Sequence, residues 1–253
     1  MDRIIYTAMN GASRLMEHQS VLTNNMANAS TPGFREQIAM YRSVPMGDGD
    51  SYSTRVSTVA ATPGHSFAVG PMQSTGRALD VALNGEGWFT FQTPDGEAYS
   101  RNGALQVGFN NLLQNAQGQP VLSEQNAPIE VPPGASLTIA SDGTITAVGA
   151  GDPPNTILNL GRLKLVNPPA TAMIHGDDGL FRTVDAQGQT LPAQQADVTL
   201  KVTSGVLEGS NANPISSMVG MIENSRRYEM QMQVLKNVDT NEQRANGLLS
   251  VSG

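Results

Sequence analysis

Apolar residues recur at 3,4 spacing near the start of the chain, at Ile5, Ala8, Ala12, Leu15, Leu22 and Met26, with Gln19 in the one polar place of the series. That period predicts an α-helix over residues 2–27. Its stripe is too narrow for burial in a globular core and suits packing against one or two other helices. Ser30-Thr31-Pro32-Gly33 ends the element, because Pro32 lacks a backbone donor and biases Thr31 away from helix. Residues 34–68 have no clear period and predict an extended, poorly packed arm that includes Met46-Gly-Asp-Gly-Asp-Ser51.

Period two then takes over. Ala82 to Gln92, Ala98 to Ser100, Leu137 to Ala140, Thr144 to Val148, Leu160 to Val166 and Val198 to Val202 predict short strands. Between them lie Asp95-Gly96, Asn102-Gly103, Asp142-Gly143 and Asp178-Gly179, pairs that supply the positive φ of tight hairpins. Residues 69–209 are thus expected to form one all-β domain. From Pro214, which suits a first helical turn and can be capped by Asn211 or Asn213, a second helix is expected to about Leu249. Its predicted face carries Met218, Met221, Ser225, Tyr228, Met232 and Leu235.

The expected fold is mainly β, with an all-β centre and two terminal helices that pair as a coiled-coil-like assembly domain. Its divisions are 1–33 for the first helix, 34–68 for the arm, 69–209 for the β domain and 210–253 for the second helix. A β domain of this length buries its own core, so the two helices need other partners, first of all each other. An intramolecular helix pair capping one globular protein is the plainer alternative.

Composition supports the division. Charged residues make up 15% and aromatic ones 5%, while 26 Gly and 15 Pro disfavour an all-helical chain. The net charge of −7 provides no basic field for nucleic acid. Both ends balance: Asp2 and Glu17 face Arg3 and Arg14, and residues 214–253 hold four acidic and four basic groups, so the excess charge lies in the middle. Neutral ends can lie side by side in many copies, whereas the acidic middle stays solvated. Eight of 12 methionines fall within residues 1–26 and 218–232, where adaptable side chains suit contacts between subunits. The helices are therefore expected to gain order from neighbours. No cysteine is present. No Sec-type leader and no stretch long enough to span a membrane is expected.

Catalytic and metal chemistry find little support. His18, His65 and His175 lack partners at metal-ligand spacing, and His18 is assigned to the outer face of the first helix. Asp177-Asp178 beside Gly179 reads as a turn rather than a glycosidase pair. Asp48 and Asp50 lack the later ligands of a calcium loop. Gly85-Glu86-Gly87 runs into a strand where a nucleotide-binding fingerprint needs a helix. Asn28-Ala29-Ser30 fits the glycosylation pattern but belongs to a more specific motif. No cofactor is expected.

That motif is Asn24-Asn-Met-Ala-Asn-Ala-Ser-Thr-Pro-Gly-Phe-Arg35. It resembles the signature N-N-φ-A-N-x-x-T-x-G-F/Y-K/R of the flagellar rod and hook proteins. Its carriers are Asn24, Asn25, Ala27, Asn28, Thr31, Gly33 and Phe34, with Met26 in the hydrophobic place. Asn28 is expected to satisfy carbonyls of the last turn, Gly33 to permit a reversal, and Phe34 to anchor the arm on a neighbouring subunit. Ala78-Leu-Asp-Val-Ala-Leu-Asn-Gly-Glu-Gly-Trp-Phe89, Tyr99-Ser-Arg-Asn-Gly103 and Leu207-Glu-Gly-Ser-Asn211 resemble further family segments. Within the family, Tyr6-Thr-Ala-Met9 and Arg226-Arg-Tyr-Glu-Met-Gln-Met-Gln233 resemble the proximal rod member beside the distal rod, and the distal rod subunit shares the general signature.

The resemblance implies a structural, non-enzymatic subunit, with export by the flagellar type III apparatus and a place in the basal-body rod in the periplasm. It further implies torque transmission, and partners among the small proximal rod proteins, the distal rod protein and copies of itself. The assembly interface is expected at the residues of the two helical stripes. A second class, a cell-wall-binding or hydrolysing protein with dimerisation helices, stays open on the residues alone.

Overall fold

Two α-helices, a 3-10 turn at Ala170–Ala172 and eighteen short strands are found among the described residues of the computed structural model, which are 2–45, 56–61, 64–151, 153, 156–185 and 187–250. They divide between two compact units. The first holds residues 1–29, 35–66 and 212–253; the second holds 30–34 and 67–211.

In the first unit α1 spans Asp2–Ala27 and α2 spans Pro214–Ser250. Pro214 opens α2 as the sequence predicts. Asn213 caps it: its Oδ1 accepts from Ile215 N at 2.9 Å and from Ser216 N at 3.2 Å. Within the segment expected as an extended, poorly packed arm, short antiparallel pairs form. β1 (Gln37–Ile38) pairs antiparallel with β4 (Gly64–His65), and β2 (Tyr41–Pro45) with β3 (Val56–Ala60). Tyr41, Val44, Val56, Thr58 and Val59 favour strand geometry, and the Tyr41 hydroxyl donates to Leu-preceding Arg14 O at 3.0 Å. Met46 to Ser51, with Asp48 and Asp50, lies outside the described residues.

The second unit is all-β. It contains β5 (Met72–Ser74), β6 (Val81–Leu83), β7 (Trp88–Thr93), β8 (Gly96–Ser100), β9 (Gln106–Val107), β10 (Leu113–Gln114), β11 (Ser136–Ile139) and β12 (Thr144–Val148). β13 (Leu158–Arg162), β14 (Leu165–Val166), β15 (Met173–His175), β16 (Phe181–Thr183), β17 (Val202–Ser204) and β18 (Val206–Glu208) complete it. Its main sheet has the order β14-β7-β8-β16-β15; β11-β12-β13 form a second sheet, and β17-β6, β18-β5 and β9-β10 form pairs. All these pairings are antiparallel.

Successive side chains on a strand point to opposite faces, and the main sheet is buried on both. Phe89, Phe91 and Leu165 enter one apolar cluster with Leu113, Ile145 and Val202, while Trp88, Tyr99 and Val166 enter another with Met173 and Phe181. The run expected as one strand from Ala82 to Gln92 is broken at Asn84–Gly87, where Gly85 and Gly87 have φ of 93° and 127°. Leu160 to Val166 likewise divides between β13 and β14, and Val198 to Val202 shortens to a strand that begins at Val202.

Asp80, in the Ala78–Phe89 motif, is buried. Burial disfavours its charge, but hydrogen bonds from Arg77 and from Thr75 Oγ1, the latter at 2.7 Å, outweigh that and hold its carboxyl below the usual range. A depressed folded value means stability that is present above the ordinary carboxylate pKa of about 3.9 and is lost as pH falls through the folded value. Asp80→Asn should therefore lower stability at pH 7 by about 1.5–3 kcal/mol, the usual worth of hydrogen bonds to a charged group. It should also flatten the acid limb of stability against pH. Urea titrations between pH 7 and pH 2 measure both, and an unchanged acid limb would contradict the assignment.

Candidate assembly site

α1 and α2 meet within the first unit as an antiparallel pair: Leu22 lies against Gly220, Leu15 and Gln19 against Asn224, and Ala8 and Gly11 against Gln231. Small residues let the helices approach. A Cβ at Gly220 would stand 3.1 Å from Leu22 Cδ2, and one at Gly11 would stand 3.0 Å from Gln231 Nε2. Amides then bridge the pair. Asn224 Nδ2 donates to Leu15 O and to Gln19 Oε1, each at 2.8 Å, and Gln231 Nε2 donates to Ala8 O at 3.0 Å.

On α1 the predicted stripe faces this seam: Ala8 and Ala12 are buried, and Ile5, Leu15, Leu22 and Met26 are partly buried. On α2 the predicted face is partly out of frame. Met221, Tyr228 and Leu235 are partly buried, but Met218, Ser225 and Met232 are exposed, the two methionines at 45% each. Ser217, Asn224 and Gln231, seven residues apart, fill those places instead, and Ser217 and Asn224 are buried. Hydropathy alone slides by one residue when the true seam is polar and small; the Ser-Asn-Gln series at seven-residue spacing was the available signal. His18 is also corrected. It is partly buried, and its Nδ1 lies 3.3 Å from Asn224 Oδ1, so it faces α2 rather than outward.

The Asn24–Arg35 motif turns the chain out of α1. Asn28 donates from its backbone N and from Nδ2 to Asn24 O, each at 3.0 Å, which satisfies a terminal carbonyl of the helix. Asn25 is buried, and both ends of its amide bind one residue: Nδ2 donates to Gln37 O and Oδ1 accepts from Gln37 N, each at 2.8 Å. The side chain thereby acts as a strand partner for β1. Ala27 and Thr31 are exposed, and Thr31 O accepts from Phe34 N at 3.3 Å.

Gly33, within the β unit, has φ of 71°, and its N–H donates to Glu208 O at 2.8 Å. Any Cβ there would collide with the Arg101–Asn102 backbone. Phe34 is half-buried, and its carbonyl accepts from Asn211 N at 3.3 Å. The same corner joins the other two motifs. Arg101 Nη1 lies 3.0 Å from Glu208 Oε2, with both side chains almost wholly buried. Glu208 Oε1 accepts from Gly70 N at 2.8 Å. Sequence reading missed this pair because its members are more than a hundred positions apart.

Three family profiles match in chain order: "Flagella basal body rod protein" over residues 5–35, "Flagellar hook protein FlgE/F/G D1 domain" over 82–147, and "Flagellar basal body rod FlgEFG protein C-terminal" over 203–248. Over its whole length and theirs, the chain is 50% identical to the flagellar basal-body rod protein FlgF of Salmonella typhimurium and 51% identical to that of Escherichia coli. The chain belongs to the flagellar basal-body rod protein family.

It is also 28% identical to a rod protein FlgG, from Buchnera aphidicola subsp. Acyrthosiphon pisum, over 94% of this chain and 95% of the relative. The family role is structural and not enzymatic. Asp177-Asp178 fits that role: it forms the turn between β15 and β16, with Asp178 Oδ2 2.7 Å from Arg182 Nη2 and Asp178 Oδ1 accepting from Leu180 N. The first profile covers α1 with the Asn24–Arg35 turn, and the last covers α2, so both partners of the seam lie in family-defining segments of this rod protein. None of the helices among the described residues is long and apolar enough to cross a membrane.

Proposed function

We propose that this rod protein is a proximal-rod subunit that polymerises through α1 and α2, which act as a coiled-coil-like assembly domain. One observation carries the reading: pairing the two helices leaves large apolar side chains uncovered along both. On α2, Ile215 is 71% exposed, Met230 62% and Ile222 56%; on α1, Tyr6 is 71% exposed, and Met9 and Met16 are also exposed. Ile215, Val219 and Ile222, at i, i+4 and i+7 on α2, make an exposed apolar stripe, the kind of surface that calls for a protein partner. The neutral charge of both ends lets many copies share one axis. The predicted stripe residues that fall outside the intrachain seam, Met218 and Met232, belong in this reading to contacts between subunits.

The partners are copies of the chain, the small proximal rod proteins and the distal rod protein, reached after export by the flagellar type III apparatus. The assembled subunit lies in the rod, in the periplasm, and passes torque toward the hook. The high identity to FlgF chains over full length, against 28% to a FlgG chain, supports the proximal place.

Deleting residues 1–28 should abolish incorporation into basal bodies and motility, while the β unit keeps its cooperative unfolding. Met232→Asp should leave folding of the monomer unchanged, since the position is exposed, yet lower incorporation at least tenfold. Normal motility from both variants would overturn the proposal.

A further inference from the structure

A lysine is rarely buried unless its nitrogen is paired, and in the β unit Lys164 is buried, with a side chain 1% exposed. Its Nζ stands 2.5 Å from Glu97 Oε1 and 2.6 Å from Asn126 Oδ1. Neither partner is near it in sequence. Glu97 lies on β8, Lys164 lies between β13 and β14, and Asn126 lies in the turn from Ser123 to Ala127. Backbone bonds fix all three segments: Glu97 faces Gln92 in the β7–β8 ladder, Lys164 N donates to Leu122 O at 2.9 Å, and Ser123 N donates to Ala127 O at 2.8 Å. Asn126 holds φ of 60°, in the left-handed region that asparagine tolerates better than most residues.

The second oxygen of Glu97 is also held. Tyr99 Oη donates to Oε2 at 3.3 Å, and burial pushes the Tyr99 hydroxyl up to about 12, so it keeps its proton. An ion pair needs only the amine and the carboxylate. Here a primary amide completes the group, and its carbonyl oxygen touches the amine. A lysine nitrogen, an adjacent base and an acyl carbon are the parts of acyl transfer to lysine. The base stands within the reach that proton transfer requires, and groups held together in one fold react far faster than separate molecules. Asn126 is exposed, which gives a leaving group its way out to solvent.

We propose that Lys164 and Asn126 become joined by an intramolecular isopeptide bond once the β unit has folded, with Glu97 as the proton carrier. The Lys164 ammonium gives a proton to Glu97, and the neutral Nζ attacks Asn126 Cγ. The Nζ–Cγ bond forms and the Cγ–Nδ2 bond breaks. Both protons that Nζ loses end on the departing nitrogen, which leaves as ammonium, and Glu97 ends as the carboxylate it began as. The step needs no further reactant. The bond closes a loop between residues 38 apart in sequence, and the whole β11–β12–β13 sheet lies inside it. A chain without cysteine has no disulfide to serve this purpose, and a covalent loop restricts the unfolded chain in the same way. The inference goes beyond the rod reading and does not depend on it.

Intact mass spectrometry of the folded, full-length chain tests the bond. The expected mass is that of the sequence less one ammonia, and proteolytic digestion should release a branched peptide that carries both Asn126 and Lys164. A folded wild-type chain with the full sequence mass would overturn the proposal and leave the trio as an ion pair with an amide beside it. Loss of ammonia without the branched peptide, as from ring closure at Asn84-Gly85, would overturn it equally.

Three variants assign the parts. Lys164→Arg and Asn126→Ala should each have the full mass of their own sequence. Glu97→Gln keeps both ends of the bond but not the proton carrier, and its linked fraction should fall at least tenfold. A linked fraction equal to that of the wild type would refute the part given to Glu97. Where a variant fails to fold, the branched peptide of the wild type still decides. Motility does not enter this test, so its failure leaves the rod reading intact.

Discussion

Glu208→Ala should destabilise the β unit by about 3–5 kcal/mol, the usual loss when one member of a buried ion pair is removed. Glu208 and Arg101 have side chains 0% and 2% exposed, so water cannot replace the lost carboxylate at Arg101. The same substitution removes the acceptor of Gly70 N–H, a buried backbone donor held at 2.8 Å. Replacing both charges should be milder than replacing one. Arg101→Met with Glu208→Met removes the buried cation together with the buried anion and fills the volume with apolar atoms, and should recover most of the stability. Trp88 is the only tryptophan, and its ring centroid lies 5.7 Å from Arg101 Cζ, so its fluorescence reports this corner directly. Urea unfolding followed by that signal gives all three stabilities. A loss below about 1 kcal/mol for the single variant, the range of an exposed pair, would show that the pair is not the anchor of this corner.

The terminal helices were legible in the sequence because local rules dictate them. The 3,4 period from Ile5 to Met26 marks α1, and Asn213-Pro214 marks the start of α2 with the cap and the first-turn proline in adjacent places. Three Asx-Gly pairs, Asp95-Gly96, Asp142-Gly143 and Asp178-Gly179, turn hairpins as expected. The fourth does not. At Asn102-Gly103 the Asn102 Oδ1 accepts from Ala104 N at 3.0 Å, and a Cβ at Gly103 would collide with Val81 O, so this glycine serves close approach of two backbone segments. Local sequence does not distinguish the two uses.

What stayed hidden depends on partners far along the chain. Asn25 could be recognised as part of a motif, but its role as a surrogate strand for Gln37 follows from where β1 returns. The hairpin in residues 34–68 was obscured because its strands are joined through a long polar stretch rather than a tight turn signal. On α2 the difficulty was chemical. A seam made by Ser217, Gly220, Asn224 and Gln231 gives no hydrophobic period, so the methionines one position further on dominated the pattern. The polar set fixes α1 against α2, while Met218 and Met232 stay exposed.

Asn224→Asp should separate that pair. The side chain is 4% exposed, and its Nδ2 donates both to Leu15 O and to Gln19 Oε1. A carboxylate has no donor at neutral pH, so it would set negative charge against both acceptors. His18 Nδ1 lies 3.3 Å from the present Oδ1, but the Leu15 carbonyl would still face the carboxylate with no donor between them, and burying a charge beside an acceptor is far more costly than burying a neutral polar group. The expected result is loss of helical circular dichroism from both termini and loss of amide protection across residues 5–27, with the β unit unchanged. Asn224→Leu should behave differently. It removes donor and acceptor together and offers apolar volume, so the monomer should keep its helices within about 1–3 kcal/mol, the range for unsatisfied neutral partners. Its effect should fall instead on register, because Asn224 is the amide by which α2 is held opposite Leu15 and Gln19 of α1. Incorporation should then decline while helicity persists. Equal retention of helix in the two variants would mean that the seam is set by the small residues around Gly11 and Gly220, and that the amides only decorate it.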